Sequence, residues 1–487
     1  MVRKCATGIL FAAVMAIGVR AQDAAGTIAA VQKAMGAETL TSITYSGTAA
    51  TGNFGQSKNI AGPLATTSIA GYRRAIDFAQ PYSRAIGTTM PPAIPGAPPP
   101  QPGTFNQGVA PTASAAAMIE IHLTPWGFIK GAAANNATAR RQRVGGKPYT
   151  VLSWSPTQKS PSGQPYNVVG YVNDQSLVER VETWIEHPVM GDLHVEQSFS
   201  DYRDFGGLKV PGRIVQKRGG MQTFEATVTE ASANPGNIAD LLQPPTAPGA
   251  GRGGAPGGAA AAGTPPAAPA VQSEKLGEGV YRITGGYVSL AVEFTDHVAI
   301  LEGGQNEARG LAVIAETKKL FPSKPIRYVV NTHPHFDHAG GLAPFAAEGI
   351  TVITHNNNRA FLEKALNSPR TLVGDALAKS KRKVKVEGAG DKRVLTDGTR
   401  SVELHHVRNL EHSDGMLISF LPKERVLFTG DFNVPAAGQA ASPAIKTLVD
   451  NVERLELDFD RHVTVHAPNP DRPLTKADLL AWLKSGG

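Results

Sequence analysis

The stretch His333-Pro334-His335-Phe336-Asp337-His338 puts four potential metal ligands into six residues, directly behind the apolar run Ile326 to Asn331, which reads as a buried strand. With 13 histidines in 487 residues, a chance H-x-H-x-D-H has odds on the order of one in a few thousand, so the pattern is a strong signal. An extended loop leaving a strand places His333 and His335 on one side, because side chains two apart share a face. Asp337 and His338 then open a helical stretch and turn toward a second ion. The single cysteine is Cys5, so thiolate is absent from the body of the chain. Imidazole with carboxylate suits zinc, iron or manganese.

A metal centre needs further ligands, and the downstream chain offers them at strand ends. His412 precedes the apolar strand Met416 to Leu421, Asp431 follows the strand Val426 to Phe428, and His466 ends Val463-Thr464-Val465-His466. His462 is a competitor for the last position. Upstream, strands at Tyr281 to Ile283, Val288 to Phe294 and Val298 to Leu301 precede a helical stretch, Glu307 to Leu320. That alternation marks an α/β fold.

On these motifs, residues 273–487 resemble the metallo-β-lactamase superfamily, whose hallmark is H-x-H-x-D-H followed by a later His, an Asp and a final His. The resemblance implies an αββα sandwich with a dinuclear site. One ion would be held by His333, His335 and His412, the other by Asp337, His338 and His466, with Asp431 bridging. It also implies a hydrolase in which a metal-bridging hydroxide attacks an ester, lactone, thioester or amide carbonyl and Asp337, the catalytic residue, orients it. The ions would be two divalent metals, zinc first, with iron or manganese as alternatives. A bridging Asp is similar to glyoxalase II and lactonases, whereas the main class B β-lactamases carry Cys or Ser near that position. Two departures stand out: Glu302 occupies a place where the family usually has Asp, and His466 lacks its usual flanking glycines. A mononuclear iron enzyme resembling persulfide dioxygenases is an alternative reading. The substrate is a small molecule that the sequence does not name.

The first half reads differently. Arg3 and Lys4, the apolar run Gly8 to Val19 and the small residue Ala21 before Gln22 fit a signal peptide over 1–21, which predicts a periplasmic or secreted protein with no integral span after processing. Residues 22–243 form a β-rich antiparallel meander with a Pro-rich excursion at 91–103. Its strands are Tyr149 to Trp154, Tyr166 to Val172, Val178 to Ile185, Leu193 to Phe199, Val210 to Val215 and Phe224 to Val228, preceded by a helix near Ala24 to Met35 and a strand near Ile43 to Ser46. This half weakly resembles periplasmic lipoprotein-carrier proteins, so a binding module for an apolar ligand is a further alternative. Residues 244–270 contain 7 Pro, 7 Gly and 10 Ala in 27 and cannot bury a core, which makes them a linker to 271–487. The net charge of +7 includes Arg3, Lys4 and Arg20; without them it is too small to argue for nucleic acid.

Other conspicuous residues have plainer readings. Trp126, Trp154 and Trp184 are expected in the core; His122, His187 and His194 are scattered. His405 and His406 belong to a strand, with one side chain inward and one outward. His355 is placed on a surface loop, and Asp414 either lines the pocket or caps a turn. Lys379, Lys381, Arg382, Lys383 and Lys385 read as a solvated edge strand.

Overall fold

The computed structural model describes residues 24–91, 99–244, 271–434, 441–468, 471–472 and 474–484. The signal at 1–21, most of the 91–103 excursion and all of the linker beyond Pro244 lie outside them. Among the described residues no helix is long and apolar enough to cross a membrane.

Alternation of buried and half-exposed side chains builds the N-terminal half. Along Gly191–Phe205, for example, Leu193, Val195, Gln197 and Phe199 are buried while His194, Glu196 and Ser198 are half-exposed, the period-two signature of a strand with one covered face. Eleven strands form one antiparallel sheet. Four of them, from Ser42–Gly52 to Gly103–Val109, meander outward; seven more, from Thr138–Val144 to Met221–Ala233, return until the last pairs with the first. The Pro-rich stretch connects two paired strands, Tyr82–Met90 and Gly103–Val109.

Helices Ala115–His122 and Pro125–Ala134, which the sequence reading had not anticipated, supply the sheet's core. Thr124 caps the second by accepting from the Gly127 amide at 3.1 Å, with Pro125 in its first turn. Trp126, Phe128 and Ile129 are fully buried against the strands. Trp154 closes over this helix at Gly131, where a Cβ would fall 2.1 Å from the indole. Trp184 corrects the core expectation: it is 52% exposed and packs across the strand pair on His194. Strand parity decides this, since the buried residues beside it are Val181, Thr183 and Ile185, one residue out of step with it.

The C-terminal half has two sheets. Seven strands run in chain order from Gln272–Gly277 to Val386–Ala389, and six from Lys392–Thr396 to Leu474–Thr475. Alternate residues separate the layers. Ala299, Leu301, Val330 and Ile353 of the first sheet meet Leu404, Leu417, Phe428 and Val463 of the second in one core. Val298, Ile300, Val329 and Val352 face the helices Glu307–Leu320, Leu342–Ala347 and Asn356–Leu366, whereas Ile418, Phe420 and Leu427 face Pro443–Arg454. The result is an αββα sandwich.

Two expectations change here. The basic run is not an edge strand: Lys379 lies in the helix Ala376–Ser380, Lys381 ends it at φ 53°, and the rest is the loop into the edge strand Val386–Ala389. His355 is buried at the end of Thr351–His355, accepts from the Asn357 amide as the cap of the next helix, and stacks on His406 with centroids 4.0 Å apart.

Candidate metal centre

Parallel pairing aligns the strand ends that carry the chemistry. Leu301 pairs with Val330 in one sheet and Thr429 with Thr464 in the other. Glu302, the loop from Asn331, Asp431 and His466 therefore emerge at one edge of the sandwich. The loop before Leu417–Leu421 brings His412 to the same place.

All seven residues expected as ligands meet there, in two overlapping groups. His333, His335, His412 and Asp431 form one; Asp337, His338, Asp431 and His466 form the other, each with its ligand atoms within 4.8 Å of one another. Asp431 belongs to both through different oxygens. Its Oδ2 lies 3.0 Å from His412 Nε2 and 3.7 Å from His333 Nε2, while its Oδ1 lies 2.8 Å from both His338 Nε2 and His466 Nε2. His462, the competitor, lies in neither group; it is buried and bonds Thr429 Oγ1 at 2.9 Å. Asp414 sits in a turn whose carbonyl accepts from Asn357 and faces His406.

The surroundings set which nitrogen of each imidazole faces inward. Glu302 Oε2 accepts from Thr332 Oγ1 at 2.7 Å and lies 3.3 Å from His338 Nδ1, so the tautomer that donates to Glu302 turns Nε2 toward Asp431. Glu302 is fully buried with φ 72°, a strained backbone for a side chain of this size. His333 Nδ1 lies against Thr332 Oγ1 at 3.2 Å, freeing Nε2. His335 Nε2 donates to the Ser57 carbonyl at 3.1 Å, so its Nδ1 points inward, 3.0 Å from His333 Nε2.

The donor set fits cations. His338 Nε2 and Asp431 Oδ1 are buried, lie 2.8 Å apart, and lack hydrogen-bond partners. Buried polar atoms are otherwise almost always satisfied, and atoms that converge on one point suit an ion. Burial opposes ionisation of Asp431, but the neighbouring His338 outweighs it and holds the carboxyl far below its ordinary range. Burial pushes His333 well down and His335 to about 4, His338 adding to the first and His412 to the second, so both imidazoles are neutral donors at pH 7.

Three contributors lay outside the sequence reading. Tyr287 Oη donates to Asp337 Oδ2 at 2.7 Å, and Gln56 Nε2 donates to Asp337 Oδ1 at 2.6 Å. Burial opposes ionisation of Asp337, but His338 and these two donors outweigh it and lower its pKa. Arg309 is fully buried and donates to the carbonyls of Ile283, Thr284 and Tyr287, fixing the segment that presents the phenol. No motif marks Gln56 or Tyr287, because each acts through one hydrogen bond set by tertiary contact.

Residues 283–453 match the family model described as the metallo-beta-lactamase superfamily. The chain is 24% identical over 223 residues to 2,4-dinitroanisole O-demethylase subunit alpha of Nocardioides sp. (strain JS1661), covering 44% of this chain and 63% of that protein. It thus spans less than two thirds of that relative's length. Among solved structures, the metallo-beta-lactamase from Pontibacter korlensis is 18% identical, covering 44% of this chain and 98% of the other at a TM-score of 0.34. DIM-1 metallo-beta-lactamase is 16% identical over 45% of this chain and 97% of its own, at a TM-score of 0.35.

Proposed function

We propose, from a C-terminal region at residues 283–453 that belongs to the metallo-β-lactamase superfamily, that the chain is a dinuclear metal-dependent hydrolase of a small-molecule ester, lactone, thioester or amide. One observation carries this reading: Asp431 divides its two oxygens between two histidine groups. Two divalent ions there would lower the pKa of a water toward about 7 and polarise a carbonyl oxygen. The ligand roles are His333, His335 and His412 for one ion and Asp337, His338 and His466 for the other, with Asp431 shared.

The chain's own residues supply positioning and proton transfer. Asp337 is tied through both oxygens, by Gln56 and Tyr287, so its carboxylate holds one orientation. Being ionised, it accepts the proton of an attacking water and returns it to the leaving group. No side-chain nucleophile is required.

The relative named as an O-demethylase subunit adds an ether C–O bond to the candidates. A substrate panel should therefore contain a β-lactam, a lactone, a thioester and a nitroaryl methyl ether. The carrier reading is less well supported. Trp126, Phe128 and Ile129 fill the N-terminal core, and a groove of about 820 Å³ on that sheet is lined by charged groups such as Lys147, Glu179, Arg180 and Asp201.

Asp337→Asn keeps the shape and one oxygen but loses the proton acceptor. Metal should stay bound near the wild-type stoichiometry while kcat on the cleaved panel member falls about 100-fold or more, in line with general-base contributions. Near-normal kcat in that variant would remove Asp337 from the mechanism.

A further inference from the structure

The loop 53–65 joins the strands Ser42–Gly52 and Thr66–Asp77 of the N-terminal sheet, yet its middle lies on the metal centre. The loop holds its own shape: the Asn53 amide donates to the Ala65 carbonyl at 2.9 Å, and Asn53 Nδ2 and Ser57 Oγ close it internally at 2.7 and 3.0 Å. It then docks through main chain and side chain together. The Phe336 amide donates to the Gly55 carbonyl and the Asp414 amide to the Lys58 carbonyl, both at 3.0 Å. Lys58 pairs with Glu411 at 2.7 Å. Phe54 of the loop and His187 of the N-terminal sheet pack edge-on against Phe336, at centroid distances of 5.1 and 4.6 Å.

Two of these contacts reach the ligands themselves. The Ser57 carbonyl receives His335 Nε2 and so selects Nδ1 as the inward atom. The Gln56 carboxamide donates to Asp337. Both contacts sit within the hexapeptide that the rest of the site is built around.

A second clamp fixes the same sheet. Asp192 accepts from the Thr371 and Leu372 amides at 2.9 Å, and the Asp192 amide donates to the Pro369 carbonyl at 2.7 Å. Buried Arg370 donates to the carbonyls of Pro188 and Val189. The turn between two N-terminal strands is thereby anchored in the C-terminal half.

We propose that Gln56 and the Ser57 carbonyl are positioning groups of the metal centre, so that the N-terminal sheet is an integral part of the active site and not an accessory module. The inference rests on the dinuclear reading of that site. Groups that orient metal ligands from outside are typically worth 10–100-fold in affinity or activity.

Two variants of the full chain test this. Gln56→Ala removes the donor with no bulk added. Gly55→Val places a Cβ 2.0 Å from the Phe336 ring at a φ of 82°, which forces the loop off the centre. Thermal unfolding and circular dichroism check the fold of each, and cobalt-substituted protein gives a visible spectrum independent of turnover. Gln56→Ala should lower kcat about tenfold with KM changed less than threefold, and Gly55→Val should weaken metal affinity 10–100-fold and alter the cobalt spectrum. Wild-type spectrum, affinity and kcat in both folded variants would overturn the proposal while leaving the dinuclear reading intact. A wild-type chain that takes up no metal would fail that reading instead.

Discussion

Asp431→Ala should leave a folded chain that binds at most half of the wild-type metal and turns over at least about a thousandfold more slowly. Asp431 is the one residue common to both ligand groups, and each of its oxygens serves a different histidine set. Its loss removes a ligand from both ions at once, and four clustered imidazoles are left without their carboxylate. Metal assistance is worth several kcal/mol of transition-state stabilisation, and each 1.36 kcal/mol is a factor of ten, which gives the magnitude. Metal analysis, circular dichroism and kcat on the same preparation check it. Full metal content with normal turnover would reduce Asp431 to a structural cap on the strand Val426–Thr429.

Trp126→Ala should destabilise the N-terminal half by about 3–5 kcal/mol, the usual cost of emptying a buried aromatic site. Trp126 is fully buried, packs on Tyr45 at a centroid distance of 6.0 Å, and joins the core shared by the helix Pro125–Ala134 and the sheet. Its indole nitrogen is buried without a hydrogen-bond partner, so the loss is of packing. For a unit of this size the unfolding temperature should fall roughly 10 °C. A change under about 1 kcal/mol by denaturant titration would mean that the helices do not carry this core.

What could be read in the sequence follows from how local each feature is. The hexapeptide His333 to His338 concentrates four metal-seeking groups behind a strand, and His412, Asp431 and His466 each adjoin an apolar run, so all seven could be named before their meeting was seen. Glu302 was visible as a departure, but its function was not: its place beneath His338 depends on a left-handed backbone that no composition reveals. Gln56 is 281 residues from Asp337, and no periodicity links a turn in one sheet to a loop in another.

In the fold, the strands from Tyr149 onward were legible because they alternate or run apolar. The earlier strand Thr66–Asp77 mixes small, polar and apolar residues and gave no such pattern. The helices from Ala115 to Ala134 were missed because they are apolar on nearly every side, leaving no stripe for a 3.6-residue period to show. Trp184 misled because aromatics in a sheet are usually core, whereas strand parity places this one in solvent.

Elemental analysis of the natively purified chain tests most directly whether two ions share Asp431. Two divalent metal ions per chain, falling to at most one in Asp431→Ala, is the predicted result. A single iron, or no more than trace metal even after zinc is added back, would contradict it.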